Sequence, residues 1–141
     1  MVVYYVYVNY LKVFFYFYIP LTLTLKFHHI YIVLIQRYEP ELCYHFLQIN
    51  VKPLKIAFPW IQHAFVGFLE VEQVLHLWDR ILAYGSRGLE LLPILATSMF
   101  IFRKHDLMIA NSQDEVNEIL NQTSHTKLLV VQLLQCILWN M

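Results

Sequence analysis

The run Leu91-Leu92-Pro93-Ile94-Leu95-Ala96-Thr97-Ser98-Met99-Phe100-Ile101-Phe102 carries no charge and offers no polar face at the helical period. A helix of this kind has to be enclosed, by other helices or by lipid. At about 1.5 Å per residue it reaches roughly 18 Å, well short of a hydrocarbon core near 30 Å. It therefore predicts the central buried helix of a bundle. Pro93 is tolerated in the first turn, and Arg103, Lys104 and His105 bring positive charge to the negative end of the dipole.

Amphipathic segments that could enclose it lie on both sides. Val71, Val74, Leu75, Trp78, Ile81 and Leu82 recur on one face of a helix over about 70–84, with Glu72, Gln73, His76, Asp79 and Arg80 on the other. Gly85 suits the left-handed stop after it, and Gly85-Ser86-Arg87-Gly88 reads as a loop. Pro40 at a first helical position and Glu41 in the first turn predict a helix to about Ile49, with Asn50-Val51-Lys52-Pro53 breaking it. Trp60, Ile61, Ala64, Phe65 and Phe68 predict a helix over about Pro59–Phe68. Ser112-Gln113-Asp114-Glu115 is a capping box before Val116, Ile119 and Leu120. Thr123-Ser124 offers another cap, before a last helix carrying Val130, Leu133, Leu134, Ile137 and Leu138. Five or six helices on short loops, with no alternating segment after residue 36, predict an all-α fold.

Composition changes sharply near Gln36-Arg37, which divides the chain into residues 1–36 and 37–141. The first part has no Gly, Ala, Ser, Asp, Glu, Arg, Cys or Trp, yet it holds seven of the ten tyrosines. Three readings of this atypical apolar segment stand side by side. As a membrane anchor it is marginal, because its longest uncharged run, Val13–Leu25, is interrupted by Pro20. As a pair of β-strands it has suitable residues but poor alternation and no hairpin turn. Its wealth of residues with AT-rich codons points instead to translated non-coding sequence or an atypical start. No signal peptide is evident, since the first charge comes at Lys12 and no small-residue cleavage site follows.

Chemistry is sparse. Ten basic and ten acidic residues balance, and no basic stripe exists to neutralise phosphates, which argues against nucleic acid. Cys43 and Cys136 read as buried free thiols. Cys43-x-His45, a packed Cys and a surface His, lacks the second pair a metal site needs. The two glycines of Gly85–Gly88 lack the ending and the preceding strand of a phosphate loop. Asp79 has no titratable partner at a fixed spacing, so it reads as an anchor for a neighbouring helix end or loop. No catalytic constellation and no cofactor or metal site is expected.

Phe58-Pro59-Trp60, Ala64-Phe65, Val74-x-x-Leu77-Trp78-Asp79-x-Ile81-Leu82-x-x-Gly85 and the apolar helix behind them resemble the C-terminal part of the TBC domain over about residues 37–139. That family comprises GTPase-activating proteins for Rab GTPases. The Asp106-Leu107-Met108 ending is most similar to its divergent member-nineteen branch. The resemblance implies an all-helical second lobe with Trp60, Phe65, Leu77, Trp78, Asp79 and Gly85 as a structural signature. It also implies a Rab-family small GTPase as partner and a cytoplasmic location peripheral to endomembranes. A membrane-anchored helical protein is the alternative if residues 1–36 insert. Members of the family that activate Rabs use an Ile-x-x-Asp-x-x-Arg arginine finger and a Tyr-x-Gln glutamine finger. Neither motif occurs here: Asp79-Arg80 has the wrong spacing, and the third residue from Tyr44 is Phe46. The expectation is a truncated, non-catalytic regulatory module, or part of a full activator whose catalytic half lies elsewhere.

Overall fold

The run Leu91–Phe102 is a single helix in which every residue from Leu91 to Phe100 is buried. The computed structural model describes residues 21–123 and 130–138, with side chains described from residue 25 to 121 and from 130 to 135. Its helices are α1 (Leu21–Tyr38), α2 (Pro40–Gln48), α3 (Pro53–Gln62), α4 (Val71–Ala83), α5 (Leu91–Phe102), α6 (Lys104–Leu107), α7 (Gln113–Thr123) and α8 (Val130–Leu138), with a 3₁₀ segment Gly85–Glu90 before α5. No β-strand occurs among the described residues, and the fold is all-α as the periodicity predicts.

Packing follows from the absence of a polar face on α5. Helices α1, α3, α6, α7 and α8 all lie against it. Phe100 is its aromatic hub, with ring centroids 5.9 Å from Tyr31 of α1, 6.0 Å from Phe46 of α2 and 5.6 Å from Trp60 of α3. The two hydroxyls of the helix are satisfied internally, Thr97 donating to the Pro93 carbonyl at 2.9 Å and Ser98 to that of Ile94 at 2.8 Å.

The compositional break at Gln36-Arg37 falls inside α1. Phe27, Tyr31, Leu34 and Ile35 from its apolar side are buried in the same core as the rest of the chain. The strand reading of Ile30–Ile35 is overturned, because these residues are helical. Phe27, Tyr31, Leu34 and Ile35 share one helical face, and enclosure by α5 outweighs the β-propensity of Ile, Tyr and Val. Among the described residues no helix is long and apolar enough to cross a membrane. The apolar runs Val2–Val8 and Val13–Pro20 lie outside the described residues; of the Thr123-Ser124 cap, Thr123 is the last residue of α7 and Ser124 lies outside them.

Two ion-pair clusters set the sense of α1 against α5. Lys26, near the start of α1, meets Glu90 just before α5 at 3.0 Å, and Arg87 binds the same carboxylate at 3.0 Å. Glu39, just past the end of α1, meets Lys104 just past α5 at 2.6 Å, with Glu41 at 3.3 Å from the same ammonium. Start is tied to start and end to end, so the two helices run in the same direction. The α2–α4 segment is the return connection that this arrangement requires.

The predicted helix Pro59–Phe68 is corrected. Helix α3 begins six residues earlier, with Pro53 at its first position, and contains Pro59. It ends at Gln62 in a Schellman motif: Ala64 N–H donates to the Ile61 carbonyl and Phe65 N–H to that of Trp60 at 2.8 Å. Ala64 and Phe65 both take left-handed φ, at 50° and 62°. Each costs about 1–2 kcal/mol, offset by burial of Phe65 and its packing on Trp60 at 6.1 Å. Helix α2 ends the same way, with Asn50 left-handed and Val51 N–H donating to Phe46 at 2.8 Å.

His28 is buried against Phe58, ring centroids 4.6 Å apart, and its Nε2 finds no hydrogen-bond partner among the described residues. Burial holds its pKa below the ordinary 6.5. As pH falls through 6.5 the unfolded chain takes up a proton that the folded chain resists, so stability is lost on acidification. Melting temperature followed from pH 7.5 to 5 should fall in the wild type and fall less in His28→Phe. Deleting residues 1–36 should abolish cooperative melting followed by circular dichroism, because it strips four buried residues from the core.

Candidate functional site

Helix α3 with the turn after it, and helix α4 with the 3₁₀ segment after it, hold the residues that carry the family resemblance. Helix α4 presents Val74, Leu77, Trp78 and Ile81 inward, and all four are buried. Trp60 and Phe65 lie in the aromatic cluster around Phe100. Four of the six signature residues, Trp60, Phe65, Leu77 and Trp78, are therefore core. Asp79 and Gly85 are exposed. Asp79 makes no hydrogen bond or ion pair among the described residues, so the expected anchoring of a helix end by Asp79 is not what the structure displays. The helical period turns it to the solvent side of α4, between buried Trp78 and half-buried Arg80.

The anchoring role falls to Gln73, whose Oε1 accepts from the Val130 N–H at 3.0 Å and so caps α8 from α4. The alternation of α4 had placed Gln73 on its polar face without a partner to name. His45 is likewise a tie and not a surface residue: its Nε2 stands 2.8 Å from the Ala110 carbonyl. A carbonyl can only accept, so the proton sits on Nε2. The capping box is present in altered form. Ser112 Oγ accepts from Glu115 N–H at 3.2 Å, while the Glu115 carboxylate reaches Asn111 N–H at 2.7 Å, one residue before the cap.

The Gly85–Gly88 stretch proves to be structural, and its two glycines do different work. Gly85 has φ 65° and ends α4 as the sequence predicts. Gly88 is buried, and a Cβ there would fall 1.9 Å from the Ile81 carbonyl oxygen. The stretch is thus pressed against the backbone of α4, which leaves no cradle for a phosphate. A glycine needed for close approach leaves no mark in sequence beyond its identity.

Electrostatics follow the ion pairs. The ammonium of Lys26 and the guanidinium of Arg87 hold the Glu90 carboxyl below its ordinary range. Burial, and then the charge of Glu39, push the Cys43 thiol upward, which makes it a poor nucleophile. Cys43 is a half-buried free thiol, and the side chain of Cys136 lies outside the described residues. Among the described residues no three His, Cys, Asp or Glu side chains are grouped to hold a metal ion.

Gly88→Ala is expected to destabilise the fold by about 3 kcal/mol, because backbone rather than a flexible side chain blocks the methyl group. Gly85→Ala should cost about 1–2 kcal/mol from its left-handed φ alone. Urea denaturation of both variants checks the order, and equal losses would contradict the close approach.

The sequence matches the Rab-GTPase-TBC domain family over residues 5–109. It is 43% identical to human TBC1 domain family member 19 over 106 residues, which covers 75% of this chain and 19% of that relative. The chain thus spans about a fifth of the length of the curated relative it matches. No solved structure matches it. The matched span takes in the whole of α1 to α6, with the residues just described, and the chain belongs to the Rab-GTPase-TBC domain family.

Proposed function

We propose that this chain is a Rab-GAP-like regulatory module that engages a Rab-family GTPase without accelerating GTP hydrolysis by itself. Family membership carries the first half of the reading. The second half rests on the arginines, since an arginine finger has to reach into a partner's nucleotide site. Arg87 is bound to Glu90, while Arg103 pairs with Asp106 at 3.3 Å and points to the Ile119 carbonyl. Arg37 lies 6.0 Å from the neighbouring Tyr38 ring. Arg80 is half-buried on α4 and lacks the aspartate three residues before it that the finger motif requires. No Tyr-x-Gln triplet occurs in the sequence. In this reading the signature residues Trp60, Phe65, Leu77, Trp78 and Gly85 shape the second lobe, and Asp79 is left on its surface.

A second reading is favoured by length. Because the chain spans 19% of its relative, it is one portion of a full activator whose two fingers are encoded upstream. A longer reading frame containing both motifs would support it. The location implied by either reading is the cytoplasmic side of trafficking membranes.

A single-turnover GTP hydrolysis assay over a panel of Rabs tests the proposal. Hydrolysis within a few-fold of the intrinsic rate is expected, because a finger is worth about 10³–10⁵ in rate. Stimulation near a hundredfold by this chain alone would overturn it.

A further inference from the structure

The turn between α2 and α3 and the first turns of α3 form a corner unlike the rest of the surface. Leu47 is 77% exposed and Tyr44, one helical turn before it, 65% exposed. Phe58 of α3, stacked on His28, is 37% exposed. A cleft of about 350 Å³ opens beside Leu47 and is lined largely by apolar side chains, among them Ile32, Ile35 and Leu54. A second of about 320 Å³ lies between Leu54 and Phe58. Lys52 and Leu54 line both, so the two are neighbours, and Lys55 lines the second.

Charge along this stretch of the chain is one-sided. Leu42–Leu69 contains no Asp or Glu, while Lys52 and Lys55 are exposed and have no ion pair among the described residues. The nearest acids in sequence on the N-terminal side, Glu39 and Glu41, are held by Lys104. Protruding leucine and aromatic side chains with two ammonium groups beside them match the two layers of a bilayer interface. The apolar groups enter the acyl boundary while the cations stay among anionic headgroups.

We propose that this corner docks on an anionic lipid bilayer, with Tyr44, Leu47 and Phe58 entering the interface and Lys52 and Lys55 pairing with headgroups. The contact is peripheral and does not rest on the GTPase reading. Two lysines and three apolar side chains make a weak, salt-sensitive attachment.

Co-sedimentation of the full chain with vesicles tests this, comparing phosphatidylcholine alone with an equal mixture of phosphatidylcholine and phosphatidylserine. Preferential binding to the anionic vesicles is expected, decreasing as salt rises. The double substitution Lys52→Gln/Lys55→Gln should weaken partitioning about twenty-five-fold, from about fivefold per lysine. Leu47→Ser should weaken it about tenfold. These positions are exposed, so melting temperatures should be unchanged, which separates lost docking from lost folding. Equal binding to both vesicles, or binding indifferent to all three substitutions, would place any attachment in the apolar residues 1–20 and overturn the proposal. So would retention by poly-glutamate without vesicle binding, since the patch would then fit an acidic protein.

Discussion

Everything in this fold depends on one helix having no side that water can accept. From Leu91 to Phe100 each residue of α5 is buried, and only a full ring of neighbours achieves that. Fully burying one such large apolar side chain contributes about 1.5–3 kcal/mol, and α5 brings Leu91, Leu92, Ile94, Leu95, Met99 and Phe100 to the core from less than a tenth of the chain. The same requirement explains Thr97 and Ser98. Deep in an apolar ring their hydroxyls have no solvent to bond, and each turns back to the carbonyl four residues earlier.

Burial alone does not say in which direction a neighbour should run. Hydrophobic contact is non-directional, and α1 could bury Phe27, Tyr31, Leu34 and Ile35 against α5 in either sense. The polar ties supply the direction. Lys26 with Glu90 at one end, and Glu39 with Lys104 at the other, are satisfied together only when α1 and α5 run the same way. Exposed ion pairs add little stability. Their contribution here is orientation, together with that of Gln73 at the start of α8 and His45 at the Ala110 carbonyl.

The residues that resemble TBC domains illustrate how a family signature arises. Trp60 and Phe65 appear together because a Schellman turn brings the third-last helical residue against the second residue beyond the cap. Gly88 is glycine because Ile81 offers a carbonyl where a methyl group would stand. Trp60, Phe65 and Gly88 are all buried, and the two finger motifs that the resemblance implies do not occur in this sequence.

The bundle, the extent of α5 and the ends of α2 and α4 were legible in the sequence, because each depends on neighbours within one or two turns. The apolar run of α5, Pro40 at the start of α2 and Gly85 after α4 are local signals. Helix α3 was misplaced because Ala64 and Phe65 read as helix formers by period and propensity, while the hydrogen bonds to Ile61 and Trp60 that hold them left-handed pay off only when Phe65 reaches the core. Residues 21–36 looked foreign by composition, yet they supply four core residues, since enclosure by α5 selects a face and ignores codon bias. What sequence alone determined was which stretches must leave water. Tertiary structure decided which polar side chains join them and in what direction, because those bonds link residues as far apart as Gln73 and Val130, beyond the reach of any local pattern.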